Sequence, residues 1–311
     1  MWYSLGMHKN PVPALLGAAS LLASASLVCA DTSTGKVSIA DFTLGQDAMN
    51  APSAKLQISS TGDMDFDDIN GGFSYDRLLL ETPLGGMIHV NDCNAVGVGL
   101  RYEATWLDTD TRLGNMDLHD LRLSFTWLHH QQGSKWSWLM SLSPGVSSDF
   151  NGVDGDDFSL NGRLGFRYAL NSKFSIVGGV GVDNTTGDHS LYPAIGFQWR
   201  PVDDVHIALL GATFTATWQP HNDWLVRFGV WPGGGVWNVE ENGNSFDVSM
   251  RSYNAAIGVE RRLTDKVWLS LWAGTNLANN LEIETASGGD IFDEGADGAW
   301  FVNLGLRVAA W

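Results

Sequence analysis

Three groups of residues have the types and spacing to do chemistry. The first is a set of isolated charges among small polar neighbours: Arg101, Glu103, Arg122, Arg163, Arg167, Arg227, Glu260 and Arg307. Side chains two apart on an extended chain share a face. A face of guanidinium groups lining water favours anions; the same groups set against Glu103 and Glu260 would instead pair and fill the space. The second group is acidic. Asp63-Met64-Asp65-Phe66-Asp67-Asp68 begins like a calcium loop, and Asp149, Asn151, Asp154, Asp156 and Asp157 have a similar character. The first lacks the glycine at its sixth position and has Ser74 where a closing glutamate belongs; in the second, Val153 occupies a ligand position. Neither is an EF-hand, and no metal site or cofactor is expected. The third group is His189-Ser190, with Asn184 and Asp188 close in sequence, and His119. A nucleophile, a base and an orienting group could be drawn from these. No Gly-x-Ser-x-Gly elbow accompanies them, and His129, His130, His206 and His221 fall near segment ends, where solvated polar residues belong. The chain is therefore expected not to be an enzyme.

These residues must be held by strands. From Asp157 to Asp183, Phe158, Leu160, Leu164, Phe166, Tyr168 and Leu170 share one parity, and Ser159, Asn161, Arg163, Gly165 and Arg167 share the other. That is a strand with one oily and one wet face, followed by a turn at Asn171-Ser172 and a second alternating run. The same pattern recurs from Ala95 to the last residue. Long connections (62–72, 109–116, 148–156, 184–188, 219–222, 242–246, 283–297) alternate with short ones (83–94, 131–134, 171–172, 201–204, 232–233, 262–266), as in an up-and-down barrel. This predicts an all-β, antiparallel barrel of about fourteen strands, or twelve if the weak start is miscounted. In it, Val205 to Trp218 is one strand and Pro232-Gly233-Gly234 is a turn. No repeat of about 20–50 residues suggests a propeller.

The oily face is expected to look outward. A tube of about fourteen strands is too wide for side chains to fill with oil, whereas Arg and Glu are easily held along a wide, hydrated lumen. Trp106, Trp127, Trp136, Trp199, Trp218, Trp224, Trp231, Trp300 and Trp311 fall near strand ends, as in the aromatic girdles at membrane boundaries. The barrel is thus transmembrane, over residues 54–311. Residues 1–30 read as a signal peptide: Lys9, an apolar Ala14–Val28, and a small-residue site at Val28-Cys29-Ala30. Lipidation at Cys29 is the weaker reading, because Val28 precedes it. Residues 31–53 form a periplasmic leader that could reach into the lumen. Loss of the signal leaves Cys93 as the sole cysteine and no internal disulfide. The net charge of −17 excludes nucleic acid, which needs basic patches.

The last strand, Phe301-Val302-Asn303-Leu304-Gly305-Leu306-Arg307-Val308-Ala309-Ala310-Trp311, resembles the terminal strand of bacterial outer-membrane β-barrel proteins. Trp311 is out of phase with Val302, Leu304, Leu306 and Val308, which a bulge near Ala309-Ala310 would correct. The resemblance implies the cell outer membrane, with lipid, lipopolysaccharide and the barrel-insertion machinery as partners. It also implies acidic loops outside that could share divalent cations with lipopolysaccharide phosphates. On that footing, the melting temperature in native membranes is expected to fall on adding EDTA, and an unchanged value speaks against such sharing. The expected function is a passive pore or small-solute transporter; the alternatives are a non-conducting structural or surface-binding barrel and, further off, a barrel enzyme acting on lipid.

Overall fold

The computed structural model describes Val37, residues 53–183 and residues 190–309. Its strands are β1 (Ser53–Thr61), β2 (Met64–Asp65), β3 (Gly72–Pro83), β4 (Ile88–Asn91), β5 (Asn94–Thr109) and β6 (Met116–His130). They continue as β7 (Trp136–Ser148), β8 (Phe158–Ala169), β9 (Phe174–Asp183), β10 (Ser190–Trp199), β11 (Val205–Leu210) and β12 (Thr213–His221). The last five are β13 (Trp224–Glu241), β14 (Asn244–Arg262), β15 (Val267–Thr285), β16 (Asp290–Ala296) and β17 (Ala299–Ala309). No helix is present among the described residues. Setting aside the short β2, β4 and β16, fourteen strands pair antiparallel in sequence order, and β17 returns to β1 in a register running from Ser53↔Ala309 to Thr61↔Phe301. Closure leaves no unpaired edge around the belt of the tube, which is what lets a sheet stand in hydrocarbon.

The two faces of the wall differ as the alternation requires. Leu121, Phe125, Leu164, Ile195, Phe228, Ile257, Leu271 and Leu304 all project outward, with Ile195 74% exposed and Ile257 57%. A soluble protein does not carry an apolar belt around its whole circumference. Trp106 and Trp300 mark its loop end, and Trp136, Trp199, Trp218 and Trp224 its turn end. On β17, Trp300 to Val308 spans roughly 27 Å of strand, or about 20 Å of height at the usual tilt. The fold is a fourteen-stranded transmembrane barrel of the outer-membrane type. Trp231 is not in a girdle: it lies inside, edge-on to Trp272 at 5.9 Å and Phe301 at 6.3 Å. Sidedness has a direct consequence. Leu271→Arg, at mid-wall, is expected to cost about 2–4 kcal/mol of folding free energy in lipid vesicles, and Leu263→Arg, near the turn end, about 0–1 kcal/mol. Equal small effects in reversible urea unfolding would mean that hydrocarbon does not touch this face.

Two strand assignments differ from the sequence reading, and their effects on the count cancel. The segment from Val205 to Trp218 is not one strand but the hairpin β11–β12, turning at Gly211-Ala212, where Gly211 has φ +57°. Conversely, β13 runs unbroken through Pro232-Gly233-Gly234 to Glu241. Its pairing with β12 stops at Val230, while its pairing with β14 continues to Glu241. Above Val230 the strand is therefore an edge, where proline is tolerated. The β11–β12 hairpin stops low, and β13, β14 and β15 rise past it. The tip of β13 then crosses the mouth to β7: Asn238 bridges Ser148, and Asp149 N–H donates to Asn238 O at 3.3 Å.

Candidate functional site

The candidate site is the interior of the tube. Arg101, Glu103, Arg122, Arg163, Arg167, Arg227, Glu260 and Arg307 stand on inner faces, and cross-strand register decides which of them meet. Direct partners share a face. One rung reads Trp268, Arg307, Lys55, Glu81, Arg101, Arg122 across β15, β17, β1, β3, β5 and β6. Glu103 and Asp120 face each other one rung nearer the loops. Two ion-pair clusters result. In the first, Glu81 meets Lys55 and Arg101 at 3.2 Å each, and Glu103 meets Arg101 at 2.6 Å and Arg77 at 3.2 Å. Asp120 holds Arg122 and accepts from Ser147 Oγ at 2.6 Å. In the second, Glu260 is shared: Arg227 Nε approaches one oxygen at 2.8 Å and Arg307 Nη2 the other at 2.9 Å. Arg307 also lies over the Trp268 ring at 5.2 Å. Arg163 and Arg167 lie on β8 beside neither glutamate, opposite Ser141 and Ser137.

Lys55, Arg77, Glu81 and Asp120 belong to these clusters and were absent from the sequence-based set. Lys55 and Glu81 lie in the weakly alternating start of the barrel. Once strands there are granted, their parity with Gln57 and Leu79 gives them away. Among the inward charges named so far, bases therefore outnumber acids by eight to four. This inverts the balance of the whole chain, whose net charge is −17; the acids concentrate on the loops.

Both ends of the charged belt are apolar, which corrects the expectation of a lumen too wide to fill with oil. At the loop end, Leu107, Leu118, Phe73, Trp237, Val248, Met250, Leu281 and Ile283 pack with Met64 and Phe66 from the 62–71 connection into one dry cluster. The barrel wall alone does not do this; the overarching tips of β13–β15 and the folded-in connections bring in the extra side chains. At the turn end, Val37 is 2% exposed and packs on Ala95 and Leu128. Its N–H donates to Asp92 O at 2.8 Å, and its carbonyl lies 2.8 Å from His89 Nε2. Of the leader, 31–53, only Val37 and Ser53 are among the described residues, and residues 1–30 lie wholly outside them. Cys93, 1% exposed, is bonded rather than free.

Between these ends the inner wall of β10–β15 holds a cavity of about 190 Å³, bordered by Gln198, His206, Thr215, Thr217, Arg227 and Trp272. His206, Thr217, Arg227, Gly258 and Trp272 are successive partners on five strands. Gly258 is required by close approach: a β-carbon there would come within 2.3 Å of the Trp272 indole.

The remaining candidates resolve differently. His119 is an outer-wall ring held between Tyr102 and Phe150, with Tyr102 Oη 3.1 Å from its Nδ1. His189, Asn184 and Asp188 fall outside the described residues. The acids of the 149–157 loop cap their own backbone: Asp149 accepts from Asn151 N–H, Asp154 from Asp156 N–H and Asp157 from Asp154 N–H. Among the described residues, the three-carboxylate grouping lies at the tip of β15 instead, where Glu282, Glu284 and Asp290 oxygens fall within 4.8 Å of one another. Arg251 already meets Glu282 there at 2.6 Å. Partial burial, then the neighbouring Glu282, push the Glu284 carboxyl above its usual range. A raised carboxyl pKa means that ionisation opposes folding, so this corner is tightest at low pH and loosens as pH rises through the carboxylate range.

A family model described as a domain of unknown function (DUF6268) matches residues 92–309. The chain belongs to that family. The DUF6268 region takes in both the cavity and Glu260, whereas Lys55, Arg77 and Glu81 precede it. No curated protein matches the chain in sequence. Solved structures share the barrel at low identity. The COG4313 outer membrane channel from Pseudomonas putida F1 is 10% identical, with 84% of this chain and 97% of that one covered and a TM-score of 0.48. A Pseudomonas aeruginosa FadL homologue is 10% identical over 84% and 93%, with a TM-score of 0.42. The Salmonella typhi outer membrane phospholipase is 10% identical over 86% and 96%, with a TM-score of 0.35. Channels and an enzyme stand side by side among them.

Proposed function

We propose that the protein spans the outer membrane, loops outward and turns toward the periplasm, and serves as a passive pore or small-solute transporter that prefers anions. The observation that carries this is the inner belt, where the eight cationic groups named above stand against four carboxylates. A fixed charge excess in a narrow, low-dielectric tube concentrates counter-ions. The reading makes no use of a catalytic group; its partners are lipid, lipopolysaccharide and the machinery that inserts such barrels.

The test is reversal potential in a planar bilayer under a salt gradient. The expected result is small, discrete conductance steps with chloride more permeant than potassium, and a preference that weakens in the Arg163→Gln/Arg167→Gln double variant. Cation preference, as the overall charge of −17 would suggest, overturns the reading. A second reading, a non-conducting barrel, draws support from the dry cluster at the loop end; silence from well-folded protein would favour it.

A further inference from the structure

We infer that the inner wall of β10–β15 carries a binding site for a small carboxylate anion with a flat apolar body. The site is the cavity beside His206, Thr217, Arg227 and Trp272. Four observations converge on this class of ligand. First, the lining contains a guanidinium, an imidazole, two hydroxyls and an amide but no carboxylate, so it attracts negative charge. Second, Glu260 is divided between Arg227 and Arg307, so the three groups together keep an excess positive charge beside the cavity. Third, His206 is 8% exposed, and its Nε2 has no hydrogen-bond partner among the described residues. A buried polar atom left without a partner costs free energy unless something fills the role, and His206 borders the cavity. Fourth, the Trp272 indole, laid over Gly258, supplies an apolar surface against which a planar body can lie.

Size narrows the class further. A volume of about 190 Å³ compares with an engineered cavity of about 150 Å³ that holds benzene, room for a one-ring or short-chain acid. In this arrangement Arg227 meets the carboxylate, His206 and Thr217 complete its hydrogen bonds, and Trp272 covers the body. The site presumes the passage reading only for how a solute reaches it; the affinity itself does not depend on conduction.

Calorimetric titration of the purified full chain in detergent, with sodium benzoate as the probe and benzamide as its neutral counterpart, tests the assignment. The expected result is saturable benzoate binding at one site per chain, with benzamide at least tenfold weaker. Arg227→Gln should weaken benzoate at least tenfold. Because that change also disturbs Glu260, His206→Phe and Thr217→Val are measured alongside; each should weaken benzoate several-fold in a barrel that still closes. Equal affinity for benzoate and benzamide, no saturable binding, or indifference to His206→Phe and Thr217→Val overturns the site. Binding without conductance sinks the passage reading and leaves the site standing; conductance without binding does the reverse.

Discussion

Glu260→Ala is expected to destabilise the barrel by about 3–5 kcal/mol, the usual cost of removing one partner from a buried ion pair. Glu260 is 5% exposed and Arg307 8%, so the Arg307 guanidinium it releases cannot be fully rehydrated without moving. Reversible urea unfolding in lipid vesicles reads the effect directly. The change should also be strongly non-additive: Glu260→Ala combined with Arg227→Ala is expected to cost less than the sum of the two, because one stranded charge is removed with its partner. The same substitution unmasks positive charge in the lumen, so any conductance that survives should shift further toward chloride. A loss below about 1 kcal/mol, the size typical of exposed pairs, would show that the lumen is wet enough at this level to screen the triad. The charged belt would then be a solvated lining and not a set of clamps.

Trp237→Ala is expected to cost about 3–5 kcal/mol, as large-to-small changes at fully packed aromatic positions do. The indole is 2% exposed in the dry cluster at the loop end. A second readout separates stability from passage. If this cluster closes the outer mouth, removing its largest side chain should raise single-channel conductance while leaving ion preference, which is set lower in the tube, unchanged. A destabilised barrel with unaltered conductance would place the barrier elsewhere, with the turn-end contact of Val37 on Ala95 and Leu128 as the next segment to vary.

Much of this fold was legible in the chain because a strand's side chains alternate with a period of two, whatever the strand packs against. That rule gave the sense of the wall, the fourteen strands and the inward placement of the charges now seen at Arg101, Arg227 and Arg307. Even the missed turn at Gly211-Ala212 left a trace. Val205, Ile207 and Leu209 point outward on odd numbers, whereas Phe214, Ala216 and Trp218 do so on even ones. A change of phase of that kind is what a two-residue hairpin turn leaves behind. Pro232 misled for the opposite reason: a proline breaks a ladder only where a neighbour needs its N–H, and whether β12 reaches that high is not written near Pro232.

What the sequence settled by itself was therefore which residues face lipid and which face the interior, since period-two alternation is a local property of an extended chain. What only the tertiary structure decided was which interior residues touch. Glu260 is shared by residues 33 positions before it and 47 after it, and Trp237 is buried in one cluster with Leu107, Leu118 and Ile283 by strand tips that fold across the mouth. Those contacts depend on register, strand length and closure, which are fixed by the packing of the whole wall and by no stretch of it alone.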